Sequence, residues 1–454
     1  MSVRTLRREQ WLPRPRAEVF DFFKTPENLA TITPPWLGFR VLTPGPLAMR
    51  AGAKFEYEVS PLGIPQRWRT RIESYSPPDG FVDVQETGPY RFWRHEHRFE
   101  EKDGGTLVTD EVTYELPLQP FGDLAHFEVA RRLRAIFDHR ESAVGALFRP
   151  AAGARKVVVA GGSGWIGRDL CRALVRSGRS VVVLSRKGGA SVVPGVETRA
   201  WLSSHAAGWE SELEGAEAIV NLCGEGVADG PWTRSRRARL VASRLVPTAA
   251  LAAAVAKAAR PPRVFLSASA VGFYPQGGDA PLDERAAPGD GFLADLCVRW
   301  ERAALEARSP STRVVLPRIG VVLGPGGGAL SRMLPPFKLG LGGRLGDGRQ
   351  WFPWVHLSDV TGLILAAVED GRLDGPINAV APEPATNAQF TAALGRALGR
   401  PTPFPVPAAA LRLLLGDMSS LLLGSQKVVP AAALAAGYRF ERASLAAALD
   451  DAAR

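Results

Sequence analysis

The stretch VVVAGGSGWIGRDL, residues 157–170, decides the fold of the larger part of this 454-residue chain. Four apolar residues run directly into a glycine cluster, and an amphipathic segment follows without a linker. Gly161, Gly164 and Gly167 form G-x-x-G-x-x-G, and Gly162 adds an overlapping G-x-G-x-x-G. Such a turn between a buried strand and a helix holds a pyrophosphate against backbone N–H groups at the helix N-terminus. The stretch therefore predicts a dinucleotide site; a purely structural glycine turn is the alternative.

Alternating strands and helices surround this turn. KVVVAG, SVVVLSR, AIVNLCG, RVFLSAS and RVVLPRIG are predicted strands, with GRDLCRALVRSGR and VPTAALAAAVAKAAR as helices among them. Continuous apolar strands joined by crossover helices are typical of a parallel sheet covered on both faces. We therefore predict a Rossmann-type, doubly wound α/β domain over residues 151–325. A small helical substrate lobe is expected over residues 326–454.

The second strand of this sheet ends in LSRKGG, where an NAD-selective site usually carries Asp or Glu for the ribose 2′-OH. Ser185, Arg186 and Lys187 stand there instead. A carboxylate would repel a 2′-phosphate, whereas a guanidinium can chelate it. We therefore predict NADP(H) rather than NAD(H), with Arg186 as the main contact. A solvent-exposed Arg–Lys pair is the alternative.

Residues 1–150 show the period-2 alternation of antiparallel strands. Alternate apolar residues share one strand face in KFEYEV, RWRTRI and TLVTDEVTYEL. A helical piece precedes these strands, and a long amphipathic helix is predicted from about Asp123 to Phe148. Its apolar stripe comprises Val129, Leu133, Ile136, Phe137, Val144, Leu147 and Phe148. A curved sheet wrapped on such a helix would enclose an apolar cavity, so we predict an α+β domain here, and this order of elements resembles the helix-grip fold.

His95 and His97, in RHEHRF, lie on one face of a predicted strand. A metal or acid–base role is compatible with such a pair, but the sequence shows no third ligand nearby. We expect a pair of partly exposed polar residues and predict no metal site.

Composition limits the class of protein. The cysteines Cys171, Cys223 and Cys297 form no C-x-x-C pair and fit a reducing compartment. No window approaches the roughly 18 apolar residues of a membrane span, and the segment MSVRTLRREQWLPRP lacks a secretory core. The net charge of +10 comes with only eight Lys, and the basic run RSRRAR is short and mixed. We expect a cytoplasmic protein that binds no nucleic acid.

Two family resemblances follow from these motifs. Residues 3–148, with HRFEEKDGGTLVTDEVTYELP, resemble the START-like superfamily, also called the polyketide cyclase or helix-grip fold. That resemblance implies a hydrophobic small-molecule ligand in the N-terminal domain. From Lys156 onward the chain resembles an extended short-chain dehydrogenase/reductase of the atypical NAD-dependent epimerase-like family, some of whose members carry a cell-division-inhibitor label. The segments that carry this second resemblance include GGSGWIG, NLCGEGV, SASAVGFYP, RIGVVLGPGGGAL, PPFKLGLGGRLGDGRQWFPWVHLSDV and VVPAAALAAGYRF.

The second resemblance, added to the glycine turn, implies a set of binding residues. The cofactor contacts expected are Gly161, Gly162, Ser163, Gly164, Trp165, Ile166, Gly167, Ser185, Arg186, Lys187, Trp201, Leu222, Cys223, Gly224 and Ser267. Trp201 is a candidate adenine neighbour. The candidate substrate-pocket residues are Arg318, Gln350, Trp354 and His356, with a structural role for His356 as the alternative. Ser358 or Asp359 is expected to cap the following helix.

The catalytic assignment departs from the family pattern. Ser269 matches the family serine that hydrogen-bonds the reacting oxygen; a strand-end cap is the alternative. The family's Tyr and Lys, four residues apart on the next helix, fall at Leu293 and Cys297 when counted from Glu301. Neither can supply the general acid of that pair. Tyr274 is the nearest other proton donor, and a packed ring without a catalytic role is the alternative.

Three hypotheses follow for the whole chain. The first is an NADP(H)-dependent oxidoreductase or epimerase-like enzyme with an unknown small substrate. The second is a catalytically weak NADP(H)-binding sensor or regulator whose START-like domain binds a hydrophobic ligand. The third is a basic interaction protein in cell division. The missing Tyr–Lys pair favours the sensor hypothesis over a standard reductase. The glycine fingerprint argues against the interaction protein. The sequence does not determine the oligomeric state.

Overall fold

The computed structural model describes residues 3–44, 47–60, 65–117, 126–148, 153–186, 193, 195–201 and 208–452, without the side chains of residues 126, 127 and 146. The chain divides into two units. The first comprises Met1–Ala154 with Val175–Ser180 and Val193–Val196, and the second comprises the remainder.

A seven-stranded antiparallel sheet dominates the first unit. Its strands are β1 (Arg4–Leu12), β2 (Arg40–Val41), β3 (Lys54–Val59), β4 (Gln66–Ser76), β5 (Gly80–Thr87), β6 (Phe92–Lys102) and β7 (Gly105–Glu115). They are arranged in the order β1-β7-β6-β5-β4-β3-β2. The helices of this unit are α1 (Arg16–Phe23), α2 (Leu29–Ile32) and α3 (His126–Leu147). The predicted helix-grip arrangement is confirmed.

Helix α3 packs its apolar stripe on the inner face of the sheet. Leu133 and Phe137 join a buried cluster with strand residues of β6 and β7, and Val144 joins a second cluster that includes Phe99. Leu147 was expected in the same stripe but is 52% exposed, because the last turn presents Phe148 to the core instead. The predicted start of the helix at Asp123 lies outside the described residues.

The second unit is built on a parallel sheet. The strands of this unit are β8 (Lys156–Ala160), β9 (Ser180–Ser185), β10 (Glu197–Ala200), β11 (Ala218–Asn221), β12 (Val264–Ser267), β13 (Ser269–Ala270), β14 (Arg313–Ile319), β15 (Val321–Leu323), β16 (Trp351–Phe352), β17 (Trp354–His356), β18 (Gly375–Ala379) and β19 (Ala385–Thr386). The main sheet has the order β10-β9-β8-β11-β12-β14-β18, with β13 extending beside β14. Parallel pairing joins β10 to β9, β8 to β11, β11 to β12, β12 to β14, and β14 to both β13 and β18. The predicted doubly wound sheet is confirmed.

Helices flank this sheet and continue into the C-terminal part. They are α4 (Trp165–Arg176), α5 (Arg234–Lys257), α6 (Phe292–Leu305), α7 (Gly328–Lys338), α8 (Leu357–Glu369), α9 (Asn387–Leu398), α10 (Ala408–Leu415), α11 (Ser420–Leu423), α12 (Ala431–Ala435) and α13 (Leu445–Ala452). Strands β11 and β12 are buried along their whole length, as expected for the centre of a sheet covered on both faces. Helices α7, α9 and α13 enclose a separate apolar cluster around Phe390.

The register of the central strands positions the site. Ala160 of β8 pairs with Asn221 of β11, and Asn221 pairs with Ser267 of β12. Three parallel strands therefore end side by side at the same edge. Ligands of open α/β sheets bind outside this carboxyl edge.

Helix α5 is long and apolar enough, by length and composition, to cross a membrane. Leu251, Ala252 and Val255 on this helix are buried in the core beneath the parallel sheet. The apolar composition of α5 is therefore also explained by packing against the parallel sheet, as in the core helices of a doubly wound fold.

Candidate functional site

The glycine turn follows β8 as predicted. The N–H of Gly164 donates to the carbonyl oxygen of Gly161 at 3.0 Å, and helix α4 begins directly afterwards at Trp165. Gly161 has a φ of 82°, and a Cβ there would lie 2.8 Å from the carbonyl carbon of Leu222. A Cβ at Gly167 would overlap the Gly161 carbonyl oxygen. Only glycine fits either position, so backbone, not side chain, faces the place where a pyrophosphate is held in such turns.

Ser163, Trp165 and Ile166 lie between these glycines. Ser163 is exposed, and Ile166 is half-buried. The Trp165 indole N–H donates to the Pro325 carbonyl oxygen at 3.0 Å. Its ring lies against Gly327, where a Cβ would clash with it. Trp165 thereby ties the start of α4 to the loop before α7.

The end of β9 brings a cation to the same edge. Ser185 is half-buried and its carbonyl oxygen accepts the Trp201 N–H at 2.9 Å, while Arg186 is exposed. Burial raises the pKa of the Cys223 thiol to about 12, and the Arg186 charge partly opposes this shift. The Arg186 charge thus acts on the loop that follows β11. Lys187, the third predicted residue here, lies outside the described residues.

A buried amide orders the loop after β11. The Asn221 side chain donates to Thr248 Oγ1 at 2.8 Å and to Ser267 Oγ at 3.1 Å. Its Oδ1 accepts the N–H of Cys223 at 3.1 Å. Asn221 was not predicted as a site residue, because only its position at the end of a buried strand distinguishes it in the sequence.

Leu222 and Gly224 complete this loop. The Leu222 N–H donates to the Ala160 carbonyl oxygen at 2.8 Å, which locks the loop to the end of β8. A Cβ at Gly224 would lie 3.1 Å from the Arg244 guanidinium carbon. The predicted contacts Leu222, Cys223 and Gly224 therefore line one edge together with Gly161.

Trp201 occupies a different environment from the one expected. Its ring packs against Trp209 with the centroids 5.5 Å apart, inside the core beneath the parallel sheet. This burial favours a packing role over contact with an adenine ring.

The predicted catalytic residues belong to a buried polar network. Ser269 Oγ donates to Glu301 Oε1 at 2.6 Å. Arg318 Nε and Nη2 donate to the two Glu301 carboxylate oxygens, each at 2.9 Å. Arg318 Nη1 donates to the Tyr274 hydroxyl at 2.9 Å, and that hydroxyl donates to Asn378 Oδ1 at 2.6 Å. Ser269 and Tyr274 are only 2% and 1% exposed.

This network determines what its members can do chemically. Burial raises the pKa of Tyr274 to about 12, so near neutral pH the phenol remains a protonated hydrogen-bond donor. Arg318 was expected in a substrate pocket, but its guanidinium is buried against Glu301 and lies 3.5 Å from the centre of the Phe273 ring. The geometry favours positioning roles for both side chains.

Leu293 and Cys297, the positions predicted for the absent Tyr and Lys, face the same region. Leu293 packs against the backbone of Gly272, since a Cβ added to that glycine would lie only 3.3 Å from Leu293 Cβ. The Cys297 thiol donates to the Ala270 carbonyl oxygen at 3.7 Å. Burial raises the Cys297 pKa to about 12. Neither side chain supplies a proton near neutral pH.

Arg244 of α5 brings a positive charge close to this thiol. Its Nη2 donates to the Glu225 carbonyl oxygen at 3.0 Å, and its guanidinium lies 5.2 Å from the Trp300 ring centre. Electrostatic interaction with this guanidinium lowers the Cys297 pKa against the larger effect of burial. The sequence did not single Arg244 out, since it lies about 50 residues before the helix that normally carries the lysine.

The other predicted substrate residues are distributed over the C-terminal part. Gln350 Nε2 donates to the carbonyl oxygens of Leu345 and Leu422 at 3.0 and 3.2 Å. Trp354 is buried in the cluster around Phe390. These contacts favour structural roles.

His356 caps helix α8. Its Nδ1 accepts the N–H of Ser358 at 3.3 Å, so the expectation that Ser358 or Asp359 provides this cap is wrong. The Asp359 carboxylate instead accepts the N–H groups of Glu441 and Arg442 at 2.7 and 3.1 Å. Burial lowers the pKa of His356, although the Asp451 carboxylate 3.1 Å from Nε2 acts in the opposite direction.

The first unit contains a cavity of about 670 Å³ between its sheet and α3. Alternate apolar residues of β3 and β4, including Phe55, Tyr57 and Ile72, line it together with Ile136 of α3. The sequence predicted both the cavity and the strand faces that form it.

His95 and His97 lie on the wall of this cavity. They are 6% and 4% exposed, so the expectation of partly exposed side chains is wrong. Asp83 and Asp110, on neighbouring strands, lie within 3.7 Å of the imidazole nitrogens. Burial lowers the His95 pKa to about 4. Burial alone would also lower the His97 pKa, but the Asp110 and Asp83 carboxylates raise it above its usual value.

Three family models match the chain. The NAD dependent epimerase/dehydratase family covers residues 157–379, and polyketide cyclase / dehydrase and lipid transport covers residues 12–138. A domain of unknown function covers residues 406–452. Together they reproduce the predicted order of a START-like part followed by an epimerase-like part.

Individual proteins of known sequence or structure are also similar to this chain. The bovine epimerase family protein SDR39U1 is 41% identical over 301 residues, which is 65% of this chain and 99% of the bovine protein. The crystal structure of human SDR39U1 with NADPH is 39% identical and covers 66% of this chain and 99% of that chain, with a TM-score of 0.61. A nucleoside-diphosphate sugar epimerase from Corynebacterium glutamicum is 31% identical and covers 99% of this chain and 90% of its own, with a TM-score of 0.60. The chain therefore belongs to the epimerase family, with a polyketide cyclase-like domain preceding the epimerase domain.

Proposed function

We propose that this protein is an NADP(H)-dependent oxidoreductase or epimerase-like enzyme that acts on a small molecule. The observation that carries the proposal is the meeting of the Gly161 turn, Arg186 and the Cys223 loop at one edge of the parallel sheet. The glycine turn leaves room for a pyrophosphate, and Arg186 supplies the cation that a 2′-phosphate requires. The human relative crystallised with NADPH supports this choice of cofactor. When bound, NADP(H) supplies or accepts a hydride.

Cofactor selectivity tests the first part of the proposal. NADPH should bind more tightly than NADH, and Arg186→Ala should remove most of the difference, because a charge-assisted contact contributes about 1.5–3 kcal/mol. Titrations of both cofactors against the wild type and the variant measure this. Arg372→Ala, an exposed arginine of the same unit paired with Asp370, is the matched control. Equal affinities of the wild type for the two cofactors would contradict the assignment.

Catalysis in this site rests on Ser269 and on fixed charges. Ser269 begins β13, directly beyond the carboxyl end of β12, and its hydroxyl donates to Glu301. Arg244 provides a cation near the position of the absent lysine. We expect slow turnover, since loss of a positioned general acid costs about 10²–10⁴ in rate.

The measurement is NADPH oxidation with a panel of aldehydes, ketones, quinones and nucleotide sugars. Ser269→Ala should lower turnover of any substrate found, with NADPH affinity unchanged. Rapid turnover that survives this substitution would place the chemistry elsewhere.

One observation favours a second function, a catalytically weak NADP(H) sensor. The network of Ser269, Glu301, Arg318, Tyr274 and Asn378 satisfies its polar groups internally. A site of this kind binds cofactor without offering an obvious proton to a substrate. NADPH binding with no turnover on the panel, together with an NADPH-dependent change in affinity for an apolar ligand, would favour the sensor.

We also propose that the cavity of the first unit binds a hydrophobic small molecule. A fluorescent fatty acid is a suitable probe for the intact chain. Ile136→Trp fills part of the cavity and should weaken probe binding at least tenfold, whereas Leu147→Trp adds the same ring on the exposed side of α3. Equal probe affinity in the two variants would contradict this assignment.

A further inference from the structure

Three adjacent strands place four titratable side chains together on the cavity wall. Asp83 of β5 pairs directly with His95 of β6, and His97 of β6 pairs directly with Asp110 of β7. Because side chains two residues apart share a strand face, both imidazoles point to the same side of the sheet. That side is the inner one, since Asp83, His95 and His97 line the cavity.

One oxygen and two nitrogens of this group converge. Asp83 Oδ2 lies 3.4 Å from His97 Nε2 and 3.7 Å from His95 Nδ1, and one ligand atom from each of the three residues lies within 4.8 Å of the others. The Thr70 hydroxyl donates to the other carboxylate oxygen, Oδ1, at 3.2 Å. Oδ2 is thereby directed at the imidazoles. Tetrahedral sites with bonds of roughly 2.0–2.1 Å have ligand atoms about 3.4 Å apart, close to these separations.

The ring nitrogens that do not face Asp83 lie beside a second carboxylate, that of Asp110. Asp110 Oδ1 lies 3.0 Å from His95 Nε2 and 2.7 Å from His97 Nδ1. Arg140 of α3 in turn holds this carboxylate, with Nη2 3.7 Å from Oδ1. A carboxylate on the remote nitrogen is the usual outer partner of metal-binding histidines, because it fixes the ring and increases its basicity.

We propose that Asp83, His95 and His97 bind one divalent transition-metal ion, with zinc as the best fit, in the cavity of the first unit. Two imidazoles and one carboxylate are one of the ligand sets of catalytic zinc sites, which leave a fourth position open. Here that position faces the apolar cavity, where an oxygen atom of a bound molecule or of water would complete the tetrahedron.

The charge of the cluster predicts what occupies the open position. With both imidazoles neutral, two carboxylates face one guanidinium, so the buried group carries a net charge of −1. A divalent ion changes this to +1. Buried charge is costly unless it is compensated, so an anionic oxygen is favoured as the fourth ligand. Hydroxide or the carboxylate of an apolar acid meets this requirement.

Metal titration of the full chain, purified without a polyhistidine tag and stripped with chelator, tests the proposal. Zn²⁺ should bind by calorimetry at one equivalent per chain. Co²⁺ should produce the intense visible bands of tetrahedral coordination, and Zn²⁺ should displace it. Absence of binding by both ions would overturn the proposal and leave the cluster as an internal hydrogen-bond network.

Substitutions separate this site from adventitious binding. Asp83→Asn and His97→Gln should each weaken Zn²⁺ binding at least 100-fold, and Asp110→Asn should weaken it about 10- to 100-fold through the histidines. His139→Gln is the matched control, because His139 lies on α3 outside the cluster. Unchanged affinity in Asp83→Asn and His97→Gln would place the ion elsewhere and contradict the assignment.

A measurement on the wild type avoids dependence on variants that fold poorly. X-ray absorption of the zinc-loaded protein should show two imidazole ligands and no sulfur, because the three cysteines belong to the second part of the chain. Sulfur ligation, or a shell of oxygen atoms alone, would overturn the site. Azide should shift the Co²⁺ bands by entering the open position, and bands insensitive to azide would exclude an open site.

Discussion

Arg318 and Glu301 form a two-point ion pair in the interior of the second unit, with Nε–Oε1 and Nη2–Oε2 separations of 2.9 Å each. Both side chains are buried. The same pair holds the hydroxyls of Ser269 and Tyr274. The ends of β13 and β14 and the middle of α6 are thereby joined by one charged group, which determines where the predicted catalytic serine points.

Breaking this pair should be strongly destabilising. Glu301→Leu leaves the Arg318 guanidinium buried without its counter-ion and should cost about 3–5 kcal/mol. The measurement is calorimetry, with the transition of the second unit identified as the one that NADPH shifts to a higher temperature. The double variant Glu301→Leu with Arg318→Met removes both charges and should lose less than the single variant. A single variant as stable as the wild type would contradict this account.

Tyr274→Phe separates a catalytic role from a positioning role. The substitution removes the hydroxyl between Arg318 and Asn378 and should cost about 1–3 kcal/mol, because both partners remain buried. Because the Tyr274 pKa is about 12, we expect little change in turnover per folded molecule and an unchanged pH–rate profile between pH 6 and 9. Loss of turnover by about 10²-fold or more in a fully folded variant would instead identify Tyr274 as the proton donor.

Cys223 reports occupancy of the cofactor site. It lies in the loop that faces the glycine turn, and burial raises its pKa to about 12, so alkylation at pH 8 should be slow in the native protein. NADPH should slow it further by covering the loop. Cys171 of α4, whose pKa is also about 12, is the internal control, since its side chain is fully buried. Mass spectrometry of iodoacetamide-treated protein measures both sites. NADPH protection of Cys171 equal to that of Cys223 would indicate general stabilisation instead.

His356 should make the second unit sensitive to mild acid. Its folded-state pKa is lowered by burial, so the unfolded chain binds more protons as the pH falls through the ordinary histidine range near 6.5. Stability should therefore fall between pH 7.5 and 5.5, because protonation of Nδ1 also removes the acceptor for the Ser358 N–H.

His356→Asn is the informative variant, because asparagine caps helices without titrating. It should retain most of the stability at pH 7.5 and reduce the loss on going to pH 5.5. Denaturant unfolding at the two pH values measures the difference. An identical loss in the wild type and the variant would show that other groups are responsible.

Local pattern alone was sufficient for the architecture of both units. Hydrophobic period and the spacing of glycines are properties of neighbouring residues, and each strand predicted in the second unit, from KVVVAG to RVVLPRIG, forms where expected. The Gly161 turn and the basic end of β9 were visible for the same reason. Counting along one helix likewise produced the prediction, which stays a prediction, that Leu293 and Cys297 stand where the family carries Tyr and Lys.

Contacts between distant segments were decided only by the tertiary structure. Nothing in the spacing of Glu301 and Arg318 shows that they pair, and Arg244 approaches Cys297 from another helix. The same holds in the first unit, where the sequence showed His95 and His97 but not Asp83 and Asp110. Those carboxylates reach the histidines through antiparallel register across β5, β6 and β7, which aligns residues 12 to 15 positions apart in the chain. The sequence shows which chemical groups are present. Which of them meet in a site depends on the pairing of strands and the packing of helices that are distant along the chain.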